Sequence, residues 1–367
     1  MADNRRKDAS ALFLKELSIR CSSRHGMTDT SSNPKRNEHR TAVSNLSAPS
    51  ISIVICNYNY GQYVSDAIRS AVSQTIPAKE IIVVDDGSTD NSRQEIEKFS
   101  EIVRVFKENG GQTSGIRAAL DFVSSDVIVI LDSDDVLLDK ACEEITRNWR
   151  PGLTMLQFRL EQRNSNGVVI GYYPDKPFVH GGERKYVLSH GFIPSSPTSG
   201  NAFATSHVIN AFQYNRERDR MYTDGYLIFT APLYGDVLSL EEVLGIYRVH
   251  GANVSTSDRK SIRWLKNYIR TNYSHREGLA FHAKLLGLSD RPAEAYMTAY
   301  DWRAALQLKR LSPQEPEVAR YSLIRIAAYA FSGFIRYPRI SLFRRLKNIV
   351  AVGVLVFAPL AIVRCSL

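Results

Sequence analysis

Ser52-Ile-Val-Ile-Cys-Asn-Tyr-Asn59 and, about 75 residues later, Ile130-Leu-Asp-Ser-Asp-Asp-Val136 are two apolar runs that each end in polar residues. Short continuous apolar runs of this kind read as strands buried on both faces. In an open α/β sheet, ligands bind just beyond the carboxyl ends of the strands. The first end offers small polar groups and an aromatic ring. The second offers three carboxylates, Asp132, Asp134 and Asp135. Carboxylates that close repel one another unless a cation neutralises them, and hard oxygen ligands suit Mg²⁺ or Mn²⁺. A metal beside a nucleotide-sized crevice points to chemistry on a phosphate leaving group.

Working outward, strands alternate with helices. The pattern predicts strands over Ile51–Cys56, Glu80–Val84, Val103–Phe106 and Val127–Leu131, with helices over Gln62–Gln74, Ser92–Phe99 and Gly115–Phe122. The first helix carries Val64, Ala67, Ile68, Ala71 and Val72 on one face. Such alternation argues for a parallel, doubly wound sheet. Beyond Pro151 the signals mix. Strands are expected over Leu153–Gln162, Gly167–Tyr173 and Val243–Val249, a helix over 222–234, and helical, charged sequence over Ser261–Leu311. The chain thus divides into a poorly ordered arm (1–48), a catalytic α/β domain (49–257) and a helical extension (258–367).

Composition narrows the partners. The chain has 47 basic and 38 acidic residues, a net +9, which suits an anionic substrate or an anionic membrane surface. No basic block is interleaved with aromatics, so nucleic acid is not expected. The four cysteines stand alone, with no Cys-x-x-Cys pair, as in a reducing compartment. Near the amino end only Ala11-Leu-Phe-Leu14 is apolar, too short for a secretory signal. The expected location is cytoplasmic, at the inner face of the plasma membrane. The membrane enters through the tail: Ile349–Val363 carries no charge and follows Arg336, Arg339, Arg344, Arg345 and Lys347. A spanning helix needs about 20 apolar residues, so this segment fits peripheral contact through the C-terminal tail.

Two constellations carry the chemistry. Asp85-Asp86-Gly-Ser88 directly follows a strand, where a carboxylate can accept hydrogen bonds from a base or from ribose. An ordinary Asp-Gly turn is the bland alternative. For Asp132, Asp134 and Asp135 the bland alternative is a solvated loop with one helix cap, which leaves the third acid unexplained.

In order along the chain, Ser52-Ile-Val-Ile-Cys-Asn-Tyr-Asn-Tyr-Gly61, Ala71-Val-Ser-Gln-Thr75, Glu80–Asp90, Glu108-Asn-Gly-Gly-Gln112 and Leu131–Asp135 resemble the family 2 type of nucleotide-sugar glycosyltransferase. Looser matches continue at Ser199-Gly-Asn-Ala-Phe203 and Tyr247-Arg-Val-His-Gly-Ala-Asn-Val-Ser255. The resemblance implies the GT-A fold, a Rossmann-like, mostly parallel sheet with flanking helices. It implies an inverting, metal-dependent transfer of sugar from a nucleotide-diphosphate donor to a hydroxyl acceptor, saccharide or lipid-linked, in polysaccharide or glycolipid synthesis. Cys56, Tyr58, Asp86, Asp132 and Asp134 would line the nucleotide-sugar pocket. Asp134, Asp135 and His250 would hold the divalent cation, and Asp224 would be the general base. The bland alternatives are a capping aspartate at 224 and an ordinary surface or core histidine at 250.

Two departures stand out. Thr223 precedes Asp224 where the family often has an acid, and Arg117 lies one position from the family's usual arginine, about 100° around the helix. No phosphate contact is therefore expected of Arg117. A sugar-1-phosphate nucleotidyltransferase would show a Gly- and Arg-rich loop where Asn57-Tyr-Asn-Tyr-Gly61 stands. A non-catalytic sugar- or nucleotide-binding module would not need Asp86, the acidic triplet and Asp224 together.

Overall fold

Residues Ile51–Asn57 form strand β1, and every one but Cys56 is buried. Side chains alternate across a strand, so Ile53 and Ile55 enter one core layer while Val54 enters the other. That is why the run is apolar throughout rather than every second residue. The computed structural model describes residues 48–175, 177–212, 223–251, 261–337 and 340–365. The arm expected over 1–48 lies outside the described residues except for Ala48, as do the boundary expected at 257–258 and Tyr222.

β1 leads through helix α1 (Gly61–Val72) to β2 (Glu80–Asp85), then α2 (Ser92–Glu97), β3 (Val103–Phe106), α3 (Gln112–Leu120) and β4 (Val127–Asp132). These four strands are parallel in the order β3-β2-β1-β4. The second half of the sheet is mixed. It comprises β5 (Val136–Leu137), β6 (Leu153–Asn164), β7 (Val169–Tyr173), β8 (Asn201–Ala204) and β9 (Asp236–Val249), with β8 antiparallel to both β4 and β6. Helices α4 (Ala141–Asn148), α5 (Glu183–His190), α6 (Thr205–Phe212) and α7 (Thr223–Tyr234) are interspersed. The order reverses at β1 and β4, so the switch-point crevice lies where the sequence placed its acids.

The expected strands recur within a residue or so through β4, and Val103–Phe106 recurs unchanged. α3 begins at Gln112 rather than Gly115, because Gly111 at φ +86° turns the chain straight into it. β9 starts at Asp236 rather than Val243, since it gains a long parallel partner in β6.

The extension holds α8 (Ile262–Leu285), α9 (Ala299–Leu311), α10 (Pro316–Ala319), α11 (Leu323–Arg336), α12 (Leu342–Phe357) and α13 (Leu360–Cys365). Ser261, Thr298, Ser322 and Ser341 each cap a helix with the side-chain oxygen, which satisfies an otherwise orphaned backbone donor. The apolar tail breaks at Ala358-Pro359, as a helix does before proline. Among the described residues no helix is long and apolar enough to cross a membrane.

α8 packs closely on α7. A Cβ at Gly278 would lie 2.0 Å from the Tyr226 ring, so only glycine admits this approach. Arg276, buried, donates to the Gly191 carbonyl at 2.6 Å and pairs with Asp301 at 3.4 Å, joining α8 to the loop after α5 and to α9. Tyr226 donates its only proton to the Ala211 carbonyl at 2.9 Å, so it accepts from His282 Nε2 at 2.8 Å. His282 Nδ1 then accepts from Tyr234 at 2.6 Å.

Burial lowers both His282 and His207 to about 4. The unfolded chain, with imidazoles near 6.5, binds more protons than the folded one between those values. The histidines' contribution to stability is therefore complete above about pH 6.5 and falls as pH drops toward 4, by on the order of 3 kcal/mol per histidine. Buried acids such as Asp132 titrate in the opposite sense, so the histidine share is read as a difference: in chemical denaturation from pH 7.5 to 4.5, wild type should lose stability relative to His207→Gln.

Candidate active site

The loops after β1 and β2 brace one another. Asn59, at φ +57°, accepts from the Thr89 amide at 2.7 Å, while its own amide donates to Ser88 Oγ at 2.9 Å. Asp85 is buried and accepts from Asn57 Nδ2 at 3.0 Å and from the Ser88 amide at 2.9 Å. Gly87, at φ +77°, passes so near Asn109 that a Cβ would sit 2.8 Å from its amide nitrogen. Asp86, also buried, accepts from the amides of Gly110 at 2.9 Å and Gly111 at 2.6 Å and from Lys107 Nζ at 2.5 Å. A carboxylate has about four lone-pair sites, so Asp86 shapes the 107–111 loop and keeps about one free.

Beyond β4 the acids alternate in exposure. Asp132 and Asp134 keep accessible surface, whereas Ser133 and Asp135 are buried. Asp132 lies in register with Cys56 across the β1–β4 pair. It accepts from Gln112 Nε2 at 3.1 Å, and its amide donates to Ser199 Oγ at 3.1 Å. Burial first, then the charges of Asp134 and Asp224, push Asp132 up to about 8. Asp135 is held from both sides, by Ser199 Oγ at 2.6 Å and the Arg248 amide at 3.0 Å. Burial, then Asp134 and Asp132, hold it well above the usual carboxylate range.

His250 reaches this turn because β9 pairs with β5, matching Val136 to Ile246. Its Nε2 lies 3.1 Å from Asp134 Oδ2, and its ring stacks on Tyr63 with centroids 4.6 Å apart. The Arg248 side chain pairs with Asp66 at 2.9 Å. A cavity of about 280 Å³ opens alongside, lined by Tyr63, Arg163, Asn164, Arg248 and His250 among others.

Asp224 sits in the first turn of α7. Burial raises it, while the Gly225 amide and the Thr198 hydroxyl favour its charged form. The Thr198 hydroxyl favours the charged form of Asp132 as well, so it lies near both the expected base and the acidic turn and can donate its one proton to either. Thr223, where the family often has an acid, bonds Thr113 Oγ1 at 2.6 Å and pins α7 to α3. Arg117 turns away to the Phe212 carbonyl at 3.1 Å. Cys56 is half-buried, its thiol pushed up first by burial and then by Asp132 and Asp86, so it stays protonated. Tyr58 stands 47% exposed at the rim.

Residues not singled out in the sequence complete the site: Lys107, Gln112, Thr198, Ser199 and Tyr60. The Tyr60 hydroxyl is pushed up by burial first, then by Asp134 and Asp132. Gln112, Ser199 and Tyr60 lie inside the quoted motifs. Lys107 follows β3 directly, and its position past a strand end is the available signal.

Among the described residues no group of three or more His, Cys, Asp and Glu side chains is arranged to hold a metal ion. The donor set still fits one. Asp132 and Asp134 keep accessible carboxylate oxygens of the kind that Mg²⁺ or Mn²⁺ takes, and the His250 imidazole beside Asp134 suits Mn²⁺ better than Mg²⁺. Such ions take one or two protein ligands and complete their shell from phosphates and water.

Residues 52–193 match the family described as Glycosyl transferase family 2. A glycosyltransferase of Nostoc sp. is 31% identical over 215 residues, covering 55% of this chain and 66% of that protein. The hyaluronan synthase of Pasteurella multocida is 28% identical over 251 residues, 64% of this chain and 24% of the synthase. The chain thus spans less than two thirds of either relative. In structure, S. aureus TarS 1-349, solved with UDP-GlcNAc, superposes with a TM-score of 0.50 at 16% identity, over 83% of this chain and 91% of that one. That likeness establishes the GT-A type of fold.

Ser199→Ala removes the donor to Asp135 and leaves a buried carboxylate short of a partner. The expected cost is about 1–3 kcal/mol by urea denaturation. Ser199→Thr, which keeps the hydroxyl, should recover most of it.

Proposed function

Because the chain carries a family 2 glycosyltransferase domain, we propose that it moves a sugar from a nucleoside-diphosphate donor to a hydroxyl acceptor, with inversion at the anomeric carbon. The observation that carries this reading is the alignment of the strand ends, which sets Asn57 opposite Asp85 and Cys56 opposite Asp132, with Asp134 3.1 Å from His250 on the turn that follows.

The donor's nucleoside would lie between the β1 and β2 loops, with Tyr58 over the base and Asp86 and Cys56 walling the pocket. Its diphosphate would face Asp132 and Asp134. A divalent ion, Mn²⁺ or Mg²⁺, would supply positive charge to the leaving diphosphate. Asp134 and His250 are its protein ligands in this reading, and Asp135 fixes the turn by holding the Arg248 amide. Asp224 would take the proton from the acceptor hydroxyl as that oxygen attacks the face opposite the leaving nucleotide. Its raised affinity for a proton makes it a better base near neutrality than an ordinary carboxylate. Thr198 and the Gly225 amide would aim it.

The likeness to a hyaluronan synthase supports a polysaccharide or glycolipid product. A lipid-linked acceptor would put the enzyme at the inner membrane face, held by peripheral contact through its C-terminal region.

The test is a binding and hydrolysis screen of UDP-, GDP- and dTDP-sugars with Mn²⁺, Mg²⁺ or EDTA. One donor should bind in a metal-dependent way, and Asp134→Ala should abolish that dependence. If a folded chain binds no nucleotide sugar with any metal, the reading fails. Asp224→Asn should lower kcat by about 10²–10⁴-fold with little change in donor binding. The acidic limb of the pH–rate profile reflects a base that must be deprotonated. It should lie above the ordinary carboxylate range and vanish in Asp224→Asn.

A further inference from the structure

The last acidic residue of the chain is Glu317; residues 318–367 hold eight Lys and Arg and no Asp or Glu, +8 of the chain's +9. Two helices within this stretch are amphipathic in an inverted sense. α11 buries Ile326, Ala330 and Phe334, one stripe at i, i+4, i+8, against the protein body. On its other side Ile324, Phe331 and Ile335 recur at helical spacing and face outward, Ile324 being 81% exposed. α12 buries Asn348, Val352 and Leu355. Outward it presents Phe343, Leu346, Val350, Val354 and Phe357, with Phe343 at 77% and Phe357 at 87% exposure.

α12 is also anchored by hydrogen bonds that do not involve its outer face. Asn348 accepts from Arg303 at 2.7 Å. Arg310 donates to the carbonyls of Leu355 and Ala358, each at 2.6 Å, which covers the carboxyl end of α12. The outward side chains take no part in these contacts, and a water-facing stripe of this length marks a contact surface. Exposed Arg325, Arg336, Arg344 and Lys347 border it. Apolar stripes on short helices, edged by cations and free of anions, suit the headgroup–acyl boundary of an anionic bilayer.

We propose that α11 and α12 together form a membrane-docking platform that lies flat on an anionic lipid surface. The contact therefore starts about 25 residues before the apolar run Ile349–Val363 and needs no spanning segment. The proposal rests on the peripheral-membrane part of the functional reading and is independent of its donor chemistry.

Vesicle flotation of the full chain tests it, comparing pure phosphatidylcholine with vesicles containing about 30% phosphatidylglycerol. Wild type should float with the anionic vesicles and be released by about 0.5 M salt only in part, because the apolar contact is unscreened. The variant F331S/F343S/F357S should lose at least about tenfold in partitioning at unchanged melting temperature. R344E/K347E should weaken it by roughly fivefold per charge. Ile209→Ser, exposed but on α6, should float like wild type. Equal flotation of wild type and the triple variant would overturn the proposal. So would no flotation by a folded chain, or a dimer in light scattering that the triple variant dissociates without any vesicle binding. Donor binding measured in the same samples separates the outcomes. Flotation without donor binding sinks the transferase reading alone, and donor binding without flotation sinks the platform alone.

Discussion

Parallel pairing of β1 with β2 on one side and β4 on the other sets Asn57 opposite Asp85 and Cys56 opposite Asp132. Two acidic loops therefore emerge at the same height, and everything in the crevice follows from that alignment. A slip of one residue would turn each strand-end side chain to the opposite face of the sheet. The core prevents the slip. Ile53, Val54 and Ile55 are fully buried in two different apolar layers, so a shifted register would leave both layers mismatched.

The crowding of acids that results is divided between two tasks. Asp85, Asp86 and Asp135 spend their oxygens on the protein, on Asn57 and Ser88, on the 107–111 loop, and on Ser199 with the Arg248 amide. Asp132, Asp134 and Asp224 instead act on one another: burial, then the charges of Asp134 and Asp224, raise Asp132 to about 8. Uncompensated, that proximity disfavours the charged forms. In the proposed reading a bound cation would reverse that balance. The helical extension shares in this arrangement. It grips α7, the helix that carries Asp224, through Gly278 against Tyr226 and through His282.

Much of this is legible in the sequence, and the residues show why. Ile51–Cys56, Glu80–Val84 and Val127–Leu131 declare themselves because strands buried on both faces must be continuously apolar. The start of α3 escapes such a reading because Gln112-Thr-Ser114 carries no apolar periodicity and the helix is begun by a glycine turn. The first half of β9 escapes it because Glu241 and Glu242 break the apolar pattern, and only pairing with β6 makes it a strand. In the tail, the uncharged run draws notice to 349–363, while the exposed apolar stripes begin in α11 and are visible only once the buried face is known.

The sequence by itself determined the alternation of strands and helices, the acids and histidine available, and their places at strand ends. Those are local properties, set by side-chain periodicity and turn chemistry over a few residues. How each acid is held was decided by the tertiary structure alone. Asp135 is held by hydrogen bonds from Ser199 and the Arg248 amide, 64 and 113 positions away, and Asp134 meets His250 across 116. A carboxylate's proton affinity depends on its burial and on the charges within a few ångströms, and no spacing along the chain encodes either.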